Sequence, residues 1–571
     1  MPFWLKHYRR DLLAGDIAAG VIVALMLIPQ GMAYALVAGL PPVVGLYASI
    51  LPPIAYAVFG SSMVQSVGPM AITSLMTGTA LAALAPPGSP LSVVLAGQMA
   101  LIAGVVLFLS GIFRLGFLAG FLSRPVMSGF TTGAALLITG GQLEPLLGGP
   151  PTAVHLPSAI IGVSSLLTLW AAKQYLAKVL SGLGMSTRVA ETLARLAPVA
   201  VLVAATAAVV TLGLTPGGVK AVGEIPSGIP GLALSVSAEH WRALLVPGVL
   251  IAFMIFLSSQ SAAQSLALKR GERISTNREL LGLGAANLAS ALSGGLPVTG
   301  SISRSAVNYS AGANTPLASV SSAAVVLIIL VVPTAWVSLL PLPALAATII
   351  LAVLGMVDLT TLRDAWRYDR GDAGALLATV AGVLLLGVEE GVILGVVLSL
   401  ATLIWRTSRP HIAVIGRIPG SEHFRNVERH DVETLPEVLM LRIDADLYFG
   451  NVDAVVDRLE NLLKARATQR LATGHVVLVM SAVSLIDTTG LYALTEINRS
   501  LRAQAIKLHL TEVKGPVMDR LQQSELLGKE LSGQVFLSTV QAFRCKPVIP
   551  QEIHPKTTFI TRLQKWSMTR F

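Results

Sequence analysis

The stretch "LPVTGSISRSAVN", residues 296–308, places Pro297, Gly300, four hydroxyl side chains and Arg304 inside a long apolar region. An ionised side chain near the bilayer centre costs roughly 2.5–3.5 kcal/mol on insertion scales, and such residues mark functional sites by default. The segment reads as an interrupted span. Pro297 suits an extended lead-in that needs no N–H, Gly300 lets a ligand approach the backbone, and the serines supply donors. A helix restarting in mid-membrane has unpaired N–H groups and about half a positive charge at its N-terminus. Such an end attracts anions, and Arg304, one helical turn further on, reinforces the field.

Composition supplies the membrane. The 571 residues are 53% hydrophobic and 13% charged, with a mean hydropathy of +0.71, whereas soluble domains are about 25% charged. Apolar blocks of about 20 residues, the length that crosses the hydrocarbon core as a helix, recur between Gly/Pro breaks. The chain is a polytopic α-helical membrane protein. Its first block, Asp16 to Ala38, is too long for a signal-peptide core and reads as a retained span.

The net charge of +10 does not point to nucleic acid. Up to residue 410 the cations cluster: Lys6, Arg9 and Arg10; Arg114 and Arg124; Lys173, Lys178, Arg188 and Arg195; Lys269, Arg270, Arg273 and Arg278; Arg363, Arg367 and Arg370; Arg406 and Arg409. Almost every cluster lies in an alternate loop, which puts the N-terminus, the clusters and the C-terminal region in the cytoplasm. Cys545 is the single cysteine, so no internal disulfide forms, and no Cys/His spacing fits a metal site. With no P-loop, dinucleotide fingerprint or nucleophile–base pair, neither a cofactor nor an enzyme activity is expected.

Hydropathy windows give about 14 crossing or partly crossing segments. The transport region spans 1–410, with two halves at about 16–214 and 243–406 joined by an outward Pro/Gly-rich loop. Seven spans per half make the second half enter from the opposite side, an inverted repeat. The third segment of the first half contains "SVGPMAITSL", and its counterpart in the second half contains "GLPVTGSISRS". Paired interrupted segments at corresponding positions point to a transporter binding site. Two positive helix ends, after Pro69 and after Pro297, then face one small polar pocket. The competing reading is close helix packing by small residues, with Arg304 snorkelling or neutralising Glu389 or Glu390.

After Arg409 charges become frequent. Strand-like runs "EVLMLRIDADLYFG", "GHVVLVM" and "IKLHLTEV" alternate with the amphipathic helices "AVVDRLENLLKARA" and "GLYALTEINRSLRAQ". This predicts a cytoplasmic α/β domain over 411–545, followed by a basic tail at 546–571.

These residues resemble the sulfate permease family, which includes solute carrier family 26. The resemblance lies in "IPQGMAYALVAGLPPVVGLYASILPPIAYAVFGSS" at 28–62, "VGPMAITSL", "LPVTGSISRSAVNYSAGANTPLAS", "KRGERISTNRELLGLGAANL" and "LLGVEEGVILGVVLSL". It continues into the C-terminal domain, where "LIDTTGL" at 485–491 resembles the loop of a STAS (sulfate transporter and anti-sigma antagonist) module. The resemblance implies seven plus seven inverted spans divided into core and gate domains, a homodimer, and elevator-like movement of the core. It also implies an anion pocket formed by Gln30, Tyr34, Met70, Ser301, Ile302, Ser303 and Arg304. The implied substrate is an inorganic anion, sulfate first, carried across an inner (plasma) membrane, and a regulatory protein is a possible partner of the STAS module.

One position departs from the family pattern. Many proton-coupled members carry a glutamate in the eighth span where this chain has Ser258, in "FLSSQSAAQSLALKRG". A serine does not titrate near neutral pH, so proton symport through it is not expected, and anion exchange or coupling through another group such as Glu389 or Glu390 stays open. The rival readings are a bicarbonate or dicarboxylate carrier, a nucleobase-type permease, and a membrane-anchored signalling protein whose STAS module is the working part. In that module Asp487 or Thr488 is placed to cap a helix.

Overall fold

The computed structural model describes residues 4–5, 8–117, 123–214, 218–223, 228, 231, 238–331 and 338–544. The basic tail lies outside them. The chain divides into two compact units, Met1–Leu400 and Ala401–Phe571.

In chain order the first unit runs α1 (Leu13–Val37), α2 (Pro42–Tyr47), α3 (Leu51–Phe59), β1 (Val67–Gly68), α4 (Ala71–Ala82), α5 (Pro90–Ile112), α6 (Arg124–Gly141), α7 (Leu143–Leu147) and α8 (Leu156–Ala171). A π-turn (Ala172–Leu176) leads into α9 (Ala177–Gly182), α10 (Thr187–Arg195), α11 (Ala197–Thr211), α12 (Trp241–Arg270), α13 (Thr276–Leu292), β2 (Thr299–Gly300), α14 (Ile302–Ser310) and α15 (Leu317–Val331). Helices Leu342–Leu354, Leu359–Tyr368, Arg370–Leu385 and Val388–Thr407 follow. Local chemistry sets several starts. The Ser89 hydroxyl accepts from the Ser92 N–H and Pro90 occupies the first turn of α5, while Ser123 and Pro125 do the same for α6.

Among the described residues, seven helices are long and apolar enough to cross a membrane, and α4, α11 and α15 are shorter apolar helices. The sequence expectation of about 14 segments counted partial crossings. The 12 residues of α4 and the 9 of α14 rise only 1.5 Å each, so neither helix traverses a core about 30 Å thick. Both interrupted segments are broken, as expected.

Small residues let the spans approach closely. Gly97, Gly104 and Gly111 repeat every seven residues along α5 and face α13; a Cβ at Gly104 would lie 2.8 Å from the Leu288 nitrogen, and one at Gly111 would lie 2.7 Å from Leu281 Cγ. Helices in lipid gain little from burying apolar surface against each other, so backbone proximity and dispersion hold such pairs. Polar ties add to this. The buried Asp16 carboxylate accepts from the N–H groups of Asn314 at 2.7 Å and Thr315 at 3.0 Å, fastening the start of α1 to the segment after α14. α1 packs on α15 and α5 on α13, whereas α6 packs on Arg370–Leu385 and α8 on Leu342–Leu354.

The second unit holds a six-stranded sheet, ordered β4-β3-β5-β6-β7-β8: β3 (Ile412–Arg417), β4 (Phe424–Asn426), β5 (Val438–Ile443), β6 (His475–Val479), β7 (Lys507–Thr511) and β8 (Val535–Phe536). β5 to β8 are mutually parallel, and β3 is antiparallel to both β4 and β5. Strand alternation fills two cores. Leu439, Leu441, Val476 and Leu478 pack in one, and Met440, Val477 and Val479 in the other. Helices Val452–Thr468 and Thr488–Ala503 coincide with the amphipathic stretches of the sequence. Asp487 caps the second, accepting from the Gly490 N–H at 2.7 Å.

Candidate anion site between two broken helices

The site begins with two residues of β-pairing. β1 and β2 run antiparallel, with Val67 opposite Gly300 and Gly68 opposite Thr299. The Ser301 N–H donates to the Ser66 carbonyl at 3.1 Å, and the Ser305 hydroxyl accepts from the Ser66 N–H at 2.9 Å. Each strand is followed at once by a helix, α4 at Ala71 and α14 at Ile302. Two N-terminal ends therefore meet at one crossing, each with unpaired N–H groups and partial positive charge. Met70, the N-cap of α4, offers no side-chain cap. Ser301 caps α14, accepting from the Arg304 N–H at 3.4 Å, and its hydroxyl lies 3.2 Å from that of Ser303.

A buried polar frame fixes the crossing. Asn287 brackets Val298, donating to its carbonyl at 3.0 Å and accepting from its N–H at 2.9 Å. Thr299 donates to the Ile255 carbonyl at 3.1 Å, and Asn308 to the Val64 carbonyl at 2.9 Å. The Gln65 amide lies between the Tyr56 hydroxyl and Ser259. A Cβ at residue 300 would run into that amide, so close approach demands glycine there.

A cavity of about 1160 Å³ opens from the crossing, and Gln30, Tyr34, Met70, Ser301, Ile302 and Ser303 all line it. The Gln30 amide and Tyr34 hydroxyl form no hydrogen bond within the described protein, leaving donors for a ligand. Arg304 differs from the expectation. It is 1% exposed and is not part of the cavity wall. Its Nη1 donates to the Pro69 carbonyl at 2.8 Å, while Nε and Nη2 have no partner. The guanidinium thus braces the crossing from behind and is neither in lipid nor paired with Glu389 or Glu390. The reason is register: Arg304 lies on the face of α14 turned toward Gly68, where a Cβ would come within 3.4 Å of Nη2.

The cavity also gathers residues that the sequence reading did not place in the site. Ser258, Ser261 and Gln264 follow one another at intervals of three along α12, and the Ser258 hydroxyl lies 3.6 Å from Met70 Sδ. The polar run "SSQSAAQS" in an apolar helix was their available signal. Arg124 and Lys173 line the same wall, as does one acid, Asp358. Asp358 is occupied, accepting from the Ser128 hydroxyl at 3.2 Å and from the N–H groups of Thr360 at 3.1 Å and Thr361 at 3.0 Å.

Fold and site together define a helical membrane transporter with a C-terminal STAS domain. The chain belongs to the sulfate permease family of anion transporters: residues 13–379 match the family model, and residues 429–542 match the STAS domain. It is 35% identical over 546 residues to a probable sulfate transporter of Mycobacterium tuberculosis, covering 94% of this chain and 97% of the relative. It is 34% identical to the chloroplastic sulfate transporter 4.1 of Arabidopsis thaliana, covering 92% and 80% of the two chains. The fold is similar to the solved structure of SLC26A9, with a TM-score of 0.85 at 21% identity over 95% of this chain and 92% of the other. The transmembrane domain of the cyanobacterial bicarbonate transporter BicA superimposes with a TM-score of 0.58 at 20% identity, over 68% of this chain and 98% of that one.

Proposed function

We propose that this protein is a secondary active transporter that carries sulfate, by uptake or exchange, across an inner (plasma) membrane. The oxyanion is held between the N-termini of α4 and α14, by their first-turn N–H groups, the Ser301 and Ser303 hydroxyls and the Gln30 amide. The observation that carries this reading is the antiparallel crossing at Gly68 and Thr299, which turns both helix ends into one cavity. Sulfate suits such a cradle because its charge is spread over four acceptor oxygens. The relatives named as sulfate transporters support the same substrate.

Two packing groups support an elevator-like cycle: the pairs α1–α15 and α5–α13 both pack on α3, while α6 and α8 pack on the late helices. The crossing moves with the first group. The alternating basic loops support a cytoplasmic N-terminus and a cytoplasmic STAS domain (411–545, after the 1–410 transport domain), and the working form is a homodimer. A regulatory protein engages the STAS surface. Labelled sulfate uptake into proteoliposomes, challenged with unlabelled sulfate, bicarbonate, succinate and chloride, tests the assignment. Sulfate should compete best; stronger competition by bicarbonate or succinate would reassign the substrate.

A further inference from the structure

We propose that Arg124 and Lys173 form a second anion-binding position on the wall of the same cavity, which receives the anion from the helix ends on its cytoplasmic side. The proposal rests on the reading of the crossing as the anion site. Both cations line the cavity, and neither is buried. Neither has a carboxylate partner among the described residues, and the one acid on the wall, Asp358, is bound by Ser128, Thr360 and Thr361. With two cations against one carboxylate, the wall carries a net charge of +1.

Local structure argues against a cation at Arg124 and offers Lys173 one role besides the cavity. Arg124 is the first residue of α6, where a positive side chain opposes the helix dipole. Lys173 sits in the π-turn Ala172–Leu176, and such turns insert a residue, weaken the helix and re-aim side chains, often at functional sites. The Lys173 ammonium lies beside Gly355, at the end of helix Leu342–Leu354; a Cβ there would be 3.4 Å from Nζ. Support of that helix end is the structural alternative, and the experiment separates it.

Placement gives the pair its role. Arg124 and Lys173 belong to basic clusters assigned to the cytoplasmic side. They sit on α6 and on the continuation of α8, in the packing group opposite the crossing. Relative movement of the groups changes the distance between these cations and the helix ends. Because attraction falls with distance and is screened over about 8 Å at physiological salt, the second position holds the anion strongly in one arrangement only.

The test uses the full-length protein in proteoliposomes, with sulfate, bicarbonate, succinate and chloride each presented from the cytoplasmic face. Arg124→Gln and Lys173→Gln should each raise the half-saturating sulfate concentration roughly two- to fivefold, the scale of one partly screened charge pair. The double variant should exceed either. The effect should fade at high salt, be larger for sulfate than for chloride, and be reversed by Lys173→Arg and Arg124→Lys, with thermal stability unchanged. Half-saturation equal to wild type in both variants overturns the second position while leaving the crossing intact. A salt-independent loss accompanied by reduced stability assigns Lys173 to the helix end and also overturns it. A wild-type protein that carries none of the four anions overturns the crossing reading and this proposal together, and loss confined to Ser301→Ala supports the crossing alone.

Discussion

The Arg304 guanidinium donates to the Pro69 carbonyl at 2.8 Å, across 235 residues of sequence, and places a buried cation directly behind two converging helix ends. No carboxylate neutralises it among the described residues. The positive field at the crossing therefore has a fixed source, and the bond also locks α14 to the lead-in of α4.

Removing this side chain should cost structure and transport together. Arg304→Ala leaves the Pro69 carbonyl without its donor, a loss of about 1–3 kcal/mol for a buried acceptor, and removes the charge. Uptake should fall more than the affinity for sulfate, and the melting temperature should drop. A variant with native stability and native uptake would contradict the brace.

Ser301→Ala should act differently. It removes the cap of α14, worth about 0.5–2 kcal/mol, together with a hydroxyl lining the cavity. The half-saturating sulfate concentration should rise while the protein remains folded by size-exclusion chromatography.

Gly300→Ala should prevent correct assembly of the crossing, because its new methyl group collides with the Gln65 amide and the Ser259 hydroxyl. Shortening the larger obstacle is the check: folded yield should recover in part in the Gly300→Ala, Gln65→Ala double variant. Equal yields for the single and double variants would dismiss the collision.

Transport should depend little on pH between about 6 and 8, where a histidine or a raised carboxylate would titrate. The described cavity wall contains Ser258 and the occupied Asp358 but no histidine. Ser258→Glu should introduce a pH-dependent rate, read from sulfate uptake at fixed membrane potential.

The STAS sheet carries its own pH dependence. His509 Nδ1 accepts from the Gln534 N–H at 3.0 Å, and its Nε2 faces His475 Nδ1 at 3.0 Å. Burial, then His475 and Lys507, push its pKa down to about 4; burial also lowers that of His475. Above about pH 6.5 both folded and unfolded chains hold neutral His509. Between 6.5 and 4 only the unfolded chain takes the proton, so the domain loses up to about 3 kcal/mol as pH falls through that window. Hydrogen exchange of β6 and β7 in the full-length protein, corrected for intrinsic rate, should report the loss, and His509→Gln should flatten it.

The sequence alone determined the membrane-spanning class, the α/β character after Arg409, the two interruptions and six residues that the cavity brings together. These follow from hydropathy, Gly/Pro chemistry and charge spacing, which act within a few residues, and from family motifs. Strands β4 and β8 escaped notice because they are short and lie at the sheet edges, where apolar alternation is weak; β3 was passed over because it directly follows the last membrane helix. Only the tertiary structure decided that Val67 pairs with Gly300, that Arg304 stands behind the pocket, and that Ser258, Arg124 and Lys173 share its wall. Each of those relationships joins elements far apart in the sequence. Such contacts depend on which packed arrangement closes every backbone bond in a solvent that offers none.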